Sequence, residues 1–418
     1  MTSPSTDEDW QVVGHAEPSG KGGLITDRPL RIAYCISRTF ERFQGTYGRY
    51  CGQARLLRDA GHDVHVFAVN RELNLPEDEI HYGVPVHRVP VQSKSWGGPR
   101  NFLNFRKMHR ALFDCVAGGK FDAVKIIGQD LSPMIPIIQK RLRLPVIFDA
   151  HEPQIYGFWT GPRRMLLPII YGLEKRYSKM AQAVQITGNW QKNKYESWGC
   201  KDVTIVGNQP LWDERIEEWP EGKYDDIKNG EPIIFGRLGT VYKGTGLHEL
   251  LEAFAIIHQR FPDRALLKLA GKVAEYYEEE FERTIEPYRD SIISSGAYNT
   301  TDMPRLYSKI HVSVLTYLMD ANFSYINPSK FYDSVGNATP VAMTPIGDTG
   351  DYIRRYRCGR VFDTENIETV VEAMEYYLEN PEEVEADARR AFEASLGEFH
   401  WRANQRQLEE TFQKIVRG

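Results

Sequence analysis

Apolar and polar positions along this chain come in blocks rather than in strict alternation. Residues 30–36 (LRIAYCI) form a nearly continuous apolar run, as a strand buried on both faces requires. A polar, glycine-bearing loop follows at 37–46. Residues 47–60 then carry apolar side chains at helical spacing, and Gly61 stands where a helix C-cap belongs. Residues 64–69 (VHVFAV) supply the next run. Strand, loop, helix, strand predicts a βαβ unit, hence a parallel sheet with helices on both faces. The rhythm repeats with strands at 87–91, 123–127, 145–149, 183–187 and 203–206, and stops at the polar, Pro- and Gly-bearing stretch 207–230. It resumes with strands at 233–235, 265–270, 291–295, 312–316, 340–343 and 359–363, then three helices, the last entered through 398–401 (EFHW).

The pattern therefore predicts an α/β protein built from two doubly wound domains. A flexible tail (1–28) precedes the first domain (29–206), a linker (207–230) leads to the second (231–395), and a closing helix (396–418) is placed to pack back on the first. In such sheets ligands bind beyond the C-terminal ends of strands.

Composition narrows the class. At 418 residues, with 41% hydrophobic and 26% charged, the chain reads as a soluble globular protein of two domains. Its five cysteines are scattered and contain no CxxC pair, which points to a reducing cytoplasm rather than to disulfides or zinc. No apolar run approaches the ~18–20 residues that span a bilayer, and the N-terminus lacks the order of a signal peptide. The net charge of −5 hides a split: residues 29–210 hold 26 Lys and Arg against 15 Asp and Glu, residues 211–418 hold 24 against 37. Either the halves attract each other, or the basic half meets anionic lipid, a phosphorylated acceptor or nucleic acid. Residues 161–180 mix Arg163, Arg164, Lys175, Arg176 and Lys179 with Met165, Leu166, Leu167, Ile169 and Ile170. These are a membrane-facing segment, or core residues beside solvated cations.

Chemistry concentrates at strand ends. In 327–343 (NPSKFYDSVGNATPVAM), Asn327 is placed to cap a helix and Pro328 suits its first position. The helix start, with Ser329, can hold phosphate; Lys330 adds a full charge, and Asp333 can accept from ribose hydroxyls. The loop 236–246 (GRLGTVYKGTG) puts Arg237 and Lys243 among Gly236, Gly239, Gly244 and Gly246. It is neither a Walker A loop nor GxGxxG, but two cations on such a turn can grip a diphosphate; the bland alternative is a turn with solvated cations. Gly45 and the stretch Gly347-Asp348-Thr349-Gly350 are further glycine turns. His151 follows a strand, where it either meets a substrate hydroxyl or is an ordinary satisfied histidine. No cluster has metal-ligand spacing. Glu77-Asp78-Glu79 and Glu278-Glu279-Glu280 read as solvated faces.

In these residues the chain resembles the family 4 retaining glycosyltransferases of the GT-B fold, two Rossmann-like domains facing a central cleft. The resemblance covers about residues 30–415. Gly236-Arg237-Leu238 … Lys243-Gly244 followed by LLEAF at 250–254 is similar to that family's sugar-nucleotide loop. Pro328-Ser329-Lys330-Phe331-Tyr332-Asp333 … Pro340-Val341 is similar to its PSKLFEY…GKPV version, seen in polysaccharide-biosynthesis enzymes. Leu173-Glu174-Lys175-Arg176 … Ala183-Val184 and Phe399-His400-Trp401 match as well. The resemblance implies transfer of a sugar, a hexose for preference, from a nucleotide-diphosphate sugar to a glycan or lipid-linked acceptor. It implies no metal, cofactor or nucleic acid, and a cytoplasmic enzyme, at most peripheral on the inner face of a membrane. Arg237 and Lys243 would bind the donor diphosphate, with the Ser329–Lys330 amides assisting. Asp333 would take the ribose, Gly45 would let the first, acceptor-side domain approach the phosphates, and Gly236 belongs to the same donor loop. His151 would contact the donor sugar near its anomeric centre, and the base would lie near Gly296-Ala297-Tyr298. Three positions depart from the family: its first glutamate falls on Ile326, its second is Asp333, and Ala338 replaces the usual glycine. Two other readings share the fold, a sugar-nucleotide epimerase and a non-catalytic sugar-nucleotide-binding subunit.

Overall fold

The computed structural model describes residues 28–41, 47–71, 73–91, 99–151, 165–241, 245–319 and 326–417. Residues 1–27, Gly45, Arg163, Arg164 and Lys243 lie outside these. Two α/β layers are present, each a Rossmann-like sheet of mostly parallel strands. The first contains β1 (Arg31–Ile36), β2 (Asp63–Asn70), β3 (Asp78–His81), β4 (Val84–Pro90), β5 (Ala123–Ile127), β6 (Val146–Asp149), β7 (Ala183–Ile186) and β8 (Val203–Ile205), in the order β3-β4-β2-β1-β5-β6-β7-β8. The second contains β9 (Ile233–Leu238), β10 (Ala265–Ala270), β11 (Ile292–Ser294), β12 (Val312–Leu315), β13 (Val341–Met343) and β14 (Gly359–Val361), in the order β11-β10-β9-β12-β13-β14. This is the doubly wound class that the block pattern predicts, since the central strands β1, β5, β6, β9 and β12 are buried almost throughout.

In each sheet the chain steps outward on one side and then returns to the other. The reversal falls between β1 and β5 in the first sheet and between β9 and β12 in the second. Adjacent loops diverge at such a point and leave a crevice beyond the strand ends.

One strand is new relative to the sequence reading. The acidic run at 77–79 enters β3, which pairs antiparallel with β4 at the sheet edge, and Glu79 accepts from Arg88 at 2.6 Å. Charge on an edge strand discourages pairing with other chains, so the same acidity that reads as a solvated face suits this position.

The stretch 207–230 is polar in composition yet firmly held. Leu211, Glu214, Arg215 and Tyr224 are buried. Arg215 donates to the Ser395 carbonyl at 2.9 Å. Lys223 donates to the carbonyls of Asn337 (3.0 Å) and Ala338 (2.9 Å) and to Thr339 Oγ1 (2.7 Å). Ala338 sits at φ +47, the left-handed region that glycine takes without cost, so these contacts clamp a strained residue at one of the positions that departs from the family pattern.

The closing helix, Trp401–Arg417, crosses to the first sheet. Trp401, Leu408, Phe412 and Ile415 share a core with Ile32, Tyr34 and Leu57. Gly52, on the helix Tyr47–Asp59, makes room for the Trp401 indole: a Cβ there would stand 2.4 Å from the ring. Gly52→Ala is therefore expected to destabilise by about 1–3 kcal/mol through overpacking. Denaturant unfolding, with tryptophan emission as the probe, measures this; an unchanged midpoint would mean the indole has room to move.

Candidate functional site

The crevice of the second sheet is built around Arg237. The side chain leaves the end of β9 and is buried, its Nη1 donating to Thr316 O (3.1 Å) and Thr316 Oγ1 (2.9 Å), its Nη2 to Thr245 O (2.8 Å). Thr316 follows β12 directly, so the two strands that flank the reversal point jointly orient this guanidinium. Gly236 permits the arrangement from below, because a Cβ there would collide with the Ile310 side chain at 2.5 Å. Gly239, at φ +131, lets the Lys330 stem approach the loop; a Cβ would stand 2.9 Å from Lys330 Cε.

Lys330 joins a buried polar group. Its Nζ lies 3.1 Å from Asp333 Oδ2, and Tyr298 is its hydrogen-bond partner. Burial opposes the ammonium, but Tyr298 and Asp333 outweigh it and keep Lys330 charged. Burial pushes the Asp333 carboxyl up from its ordinary value, with Lys330 pulling the other way. Gly296 (φ +63) and Ala297, both exposed, lead from β11 to Tyr298. The structure thus brings Tyr298, Lys330 and Asp333 together and sets Lys330 against the arginine loop. The helix begins at Ser329 with Pro328 as its cap residue. Asn327 does not cap it, which corrects the sequence reading: its Nδ2 donates to Thr187 O (3.1 Å) in the first layer, and its Oδ1 accepts from the Asp348 amide (2.7 Å).

His151 stands at the strand ends of the first sheet, buried and at φ +44. Its amide donates to Asp149 Oδ1 (3.2 Å), its carbonyl accepts from Gln191 Nε2 (2.5 Å), and its ring lies 5.6 Å from Tyr50. Burial, aided by the Arg49 cation, lowers its pKa to about 3, so the imidazole is neutral and acts as a hydrogen-bonding group rather than a cation. A non-glycine residue in this conformation costs of order 1–3 kcal/mol and persists only where its surroundings over-determine it.

Three residues of consequence are given no role in the sequence reading. Asp348 accepts from the Asn189 amide (2.5 Å) and the Trp190 amide (3.2 Å), so a carboxylate of the second layer caps a first-layer helix, Asn189–Ser197. The glycine turn 347–350 serves this contact. Arg49 donates to both Asp149 oxygens (3.1 and 3.2 Å) and to Gly207 O (2.8 Å). Glu214 is buried and accepts from the Leu211 amide (3.1 Å); a Cβ on Gly48 would be 3.5 Å from its Oε2, and it senses the charge of Asp333. Among the described residues no three His, Cys, Asp or Glu side chains gather as a metal site, and no helix is long and apolar enough to cross a membrane.

Two family models match in tandem: residues 45–209 match "Glycosyl transferase 4-like domain" and residues 223–394 match "Glycosyl transferases group 1". The chain is a glycosyltransferase of the GT-B fold. Solved structures repeat its architecture over nearly the whole length. Sucrose-phosphate synthase from Thermosynechococcus elongatus superposes with a TM-score of 0.76 at 14% identity, covering 92% of this chain and 99% of that one. HepE from Anabaena in complex with UDP-glucose gives 0.67 at 13%, covering 92% and 100%. The catalytic domain of starch synthase IV from Arabidopsis thaliana, bound to ADP and acarbose, gives 0.69 at 11%, covering 94% and 100%. At such identities the likeness is one of fold. No curated protein matches in sequence.

Glu214 gives this glycosyltransferase a pH signature. Burial pushes its carboxyl from 4.5 up to about 7, with Thr300 opposing and Asp333 adding to the rise. Between those values the folded chain holds a proton that the unfolded chain releases, so stability falls as pH rises through about 7. Glu214→Gln removes the penalty. It is expected to melt above the wild type at pH 8, by up to roughly 3 kcal/mol, with the advantage gone by pH 4.5. Melting curves across that range check it, and a pH-independent offset would rule out Glu214 as the titrating group.

Proposed function

We propose that the chain is a metal-independent, retaining enzyme of family 4 that moves a hexosyl group from a nucleotide-diphosphate sugar to a glycan or lipid-linked acceptor. The observation that carries the proposal is Arg237: a buried guanidinium, oriented by Thr316 and Thr245 at the strand reversal and faced across Gly239 by charged Lys330. Fixed cations of this kind stabilise the charge that develops on a departing diphosphate without reorganising during the reaction. Lys243, on the same loop, adds a second cation by resemblance. Asp333, in the place of the family's ribose-binding glutamate, also steadies Lys330, and Tyr298 borders the position expected for the base. Neutral His151 can hydrogen-bond a donor-sugar hydroxyl without competing for the phosphates. UDP-glucose in HepE and ADP in starch synthase IV support a nucleotide-sugar donor.

A lipid-linked acceptor would bring the basic half to a membrane, and one helix supports that reading. Leu167–Ser178 buries only Glu174 and Ser178. Met165 is 82% and Ile169 59% exposed, and Leu173 is exposed as well. The expectation that these apolar residues are core is not met. They form an outward stripe beside the exposed Lys175, Arg176 and Lys179, the composition of a surface that lies on anionic lipid.

Two measurements test the proposal. With a labelled nucleotide-sugar panel, Arg237→Ala or Lys243→Ala should lower turnover by roughly two orders of magnitude, and wild-type activity should survive EDTA. Free nucleotide with transferred sugar supports a transferase, an epimer would mean the alternative enzyme, and undiminished turnover in both variants would remove the diphosphate assignment. In vesicle co-sedimentation, binding should appear with anionic vesicles at low salt, fade at high salt, and weaken in Ile169→Glu and Arg176→Ala. Equal recovery with neutral vesicles, or none with either, leaves a soluble acceptor.

A further inference from the structure

We propose that the second domain carries a separate site for a sugar phosphate at the outer edge of its sheet, with Arg354, Arg357, Arg360 and Arg390 taking the phosphate. These four line a cavity of about 510 Å³ between β14 and the helices Thr349–Tyr356 and Pro381–Leu396, and Glu383 is the single carboxylate among the lining residues. The setting makes the cluster conspicuous, because residues 211–418 hold 24 basic against 37 acidic side chains.

The four guanidiniums are unequal. Arg360 and Arg390 are anchored: both pair with Asp387, whose side chain is wholly buried, and Arg360 stands 3.7 Å over the Tyr376 ring. Arg354 pairs with Asp351, whose side chain is 86% exposed, a contact that water and salt weaken. Arg357 is exposed, and its guanidinium makes no ion pair among the described residues. Its backbone adopts φ +51 at the end of the helix, where glycine or asparagine is usual, and its carbonyl accepts from Arg390 Nε at 2.7 Å. A strained residue tied to its neighbour, with its charge left over, needs a reason other than helix termination, which glycine would serve better. Two fixed and two adjustable guanidinium forks suit the several oxygens of a phosphate dianion.

The organic part of the ligand follows from the adjoining space. A second cavity of about 760 Å³ shares Arg360 and Val361 with the first and is lined by Phe362, Tyr376, Glu365 and Glu372. Rings and carboxylates are what the hydroxyls and faces of a sugar meet in a binding site. The site is distinct from the donor crevice, since β12 and β13 lie between β9, which carries Arg237, and β14.

Isothermal titration calorimetry on the full chain at low salt tests this, with inorganic phosphate and glucose 6-phosphate as probes. Wild type is expected to bind both, glucose 6-phosphate more tightly. Arg357→Gly suits the local backbone while removing the charge, so its fold is safe; it should weaken both ligands about tenfold, the scale of a charge-assisted bond. Glu372→Gln should weaken glucose 6-phosphate alone, and Arg237→Ala should leave the Arg357-dependent part of the binding unchanged. Absence of binding at millimolar concentration, full affinity in Arg357→Gly, or loss of the Arg357-dependent binding in Arg237→Ala would each overturn the site. Equal affinity for the two probes would show an adventitious ion only and overturn it too.

Discussion

Asp149 takes charge from two sides inside the first domain. Arg49 reaches it from the first helix and Lys125 from the neighbouring strand at 2.8 Å, with all three side chains essentially removed from water. Burial alone would neutralise the carboxyl; the two cations overcome it and hold Asp149 below the usual carboxylate range. The same burial brings Lys125 down to about 8. Such a cluster contributes little net stability compared with an apolar core, but removing one member leaves an unpaired buried charge at a cost of about 3–5 kcal/mol. What it secures is placement. Asp149 receives the His151 amide, and Arg49 also grips the carbonyls of Val206 and Gly207, so one cluster sets both the strained histidine and the point where the chain leaves the first domain.

The rest of the interdomain wiring continues from there. Asn208 donates to Asn327 O at 2.7 Å, Asn327 to Thr187 O, the Asp348 amide to Asn327 Oδ1, and the Asp348 carboxylate receives from the helix Asn189–Ser197. Gly188 is small enough for these groups to meet, since a Cβ there would stand 2.2 Å from Asn327 Nδ2. Polar contacts of this type are directional and individually modest, of order 1 kcal/mol each. They align the strand ends of the two sheets without fusing the domains into a single apolar core.

How much of this was legible in the sequence depended on distance along the chain. Parallel strands buried on both faces must be almost purely apolar, so 30–36, 123–127 and 233–235 announced themselves. Arg237 stood out as a cation between glycines directly after such a strand, but a turn with solvated cations fitted the sequence as well, and only the resemblance gave it a role. β3 was not, because an edge strand tolerates acid and shows no apolar run. Asn327 was misread as a cap because its neighbours fit that local motif, and only the opposite domain supplies the Thr187 carbonyl that claims it. Arg49 and the Asp348 carboxylate find their partners a hundred or more residues away, where no spacing rule reaches; Glu214 takes the Leu211 amide nearby, but its burial comes from distant segments. The helix Leu167–Ser178 was left open between two readings: its composition was visible, but it does not say which face turns inward, and here a glutamate bound to Tyr195 and Lys194 takes the inner one.

Because Asp348 caps its helix from the other domain, the amides of Asn189 and Trp190 are sheltered only while the two domains touch. Most backbone protons in a sheet or helix report the unfolding of their own element. These two report separation of the halves. Their hydrogen-exchange rates form a built-in clock for cleft opening, set by the loss of about one cap, of order 0.5–2 kcal/mol, rather than by the stability of either domain.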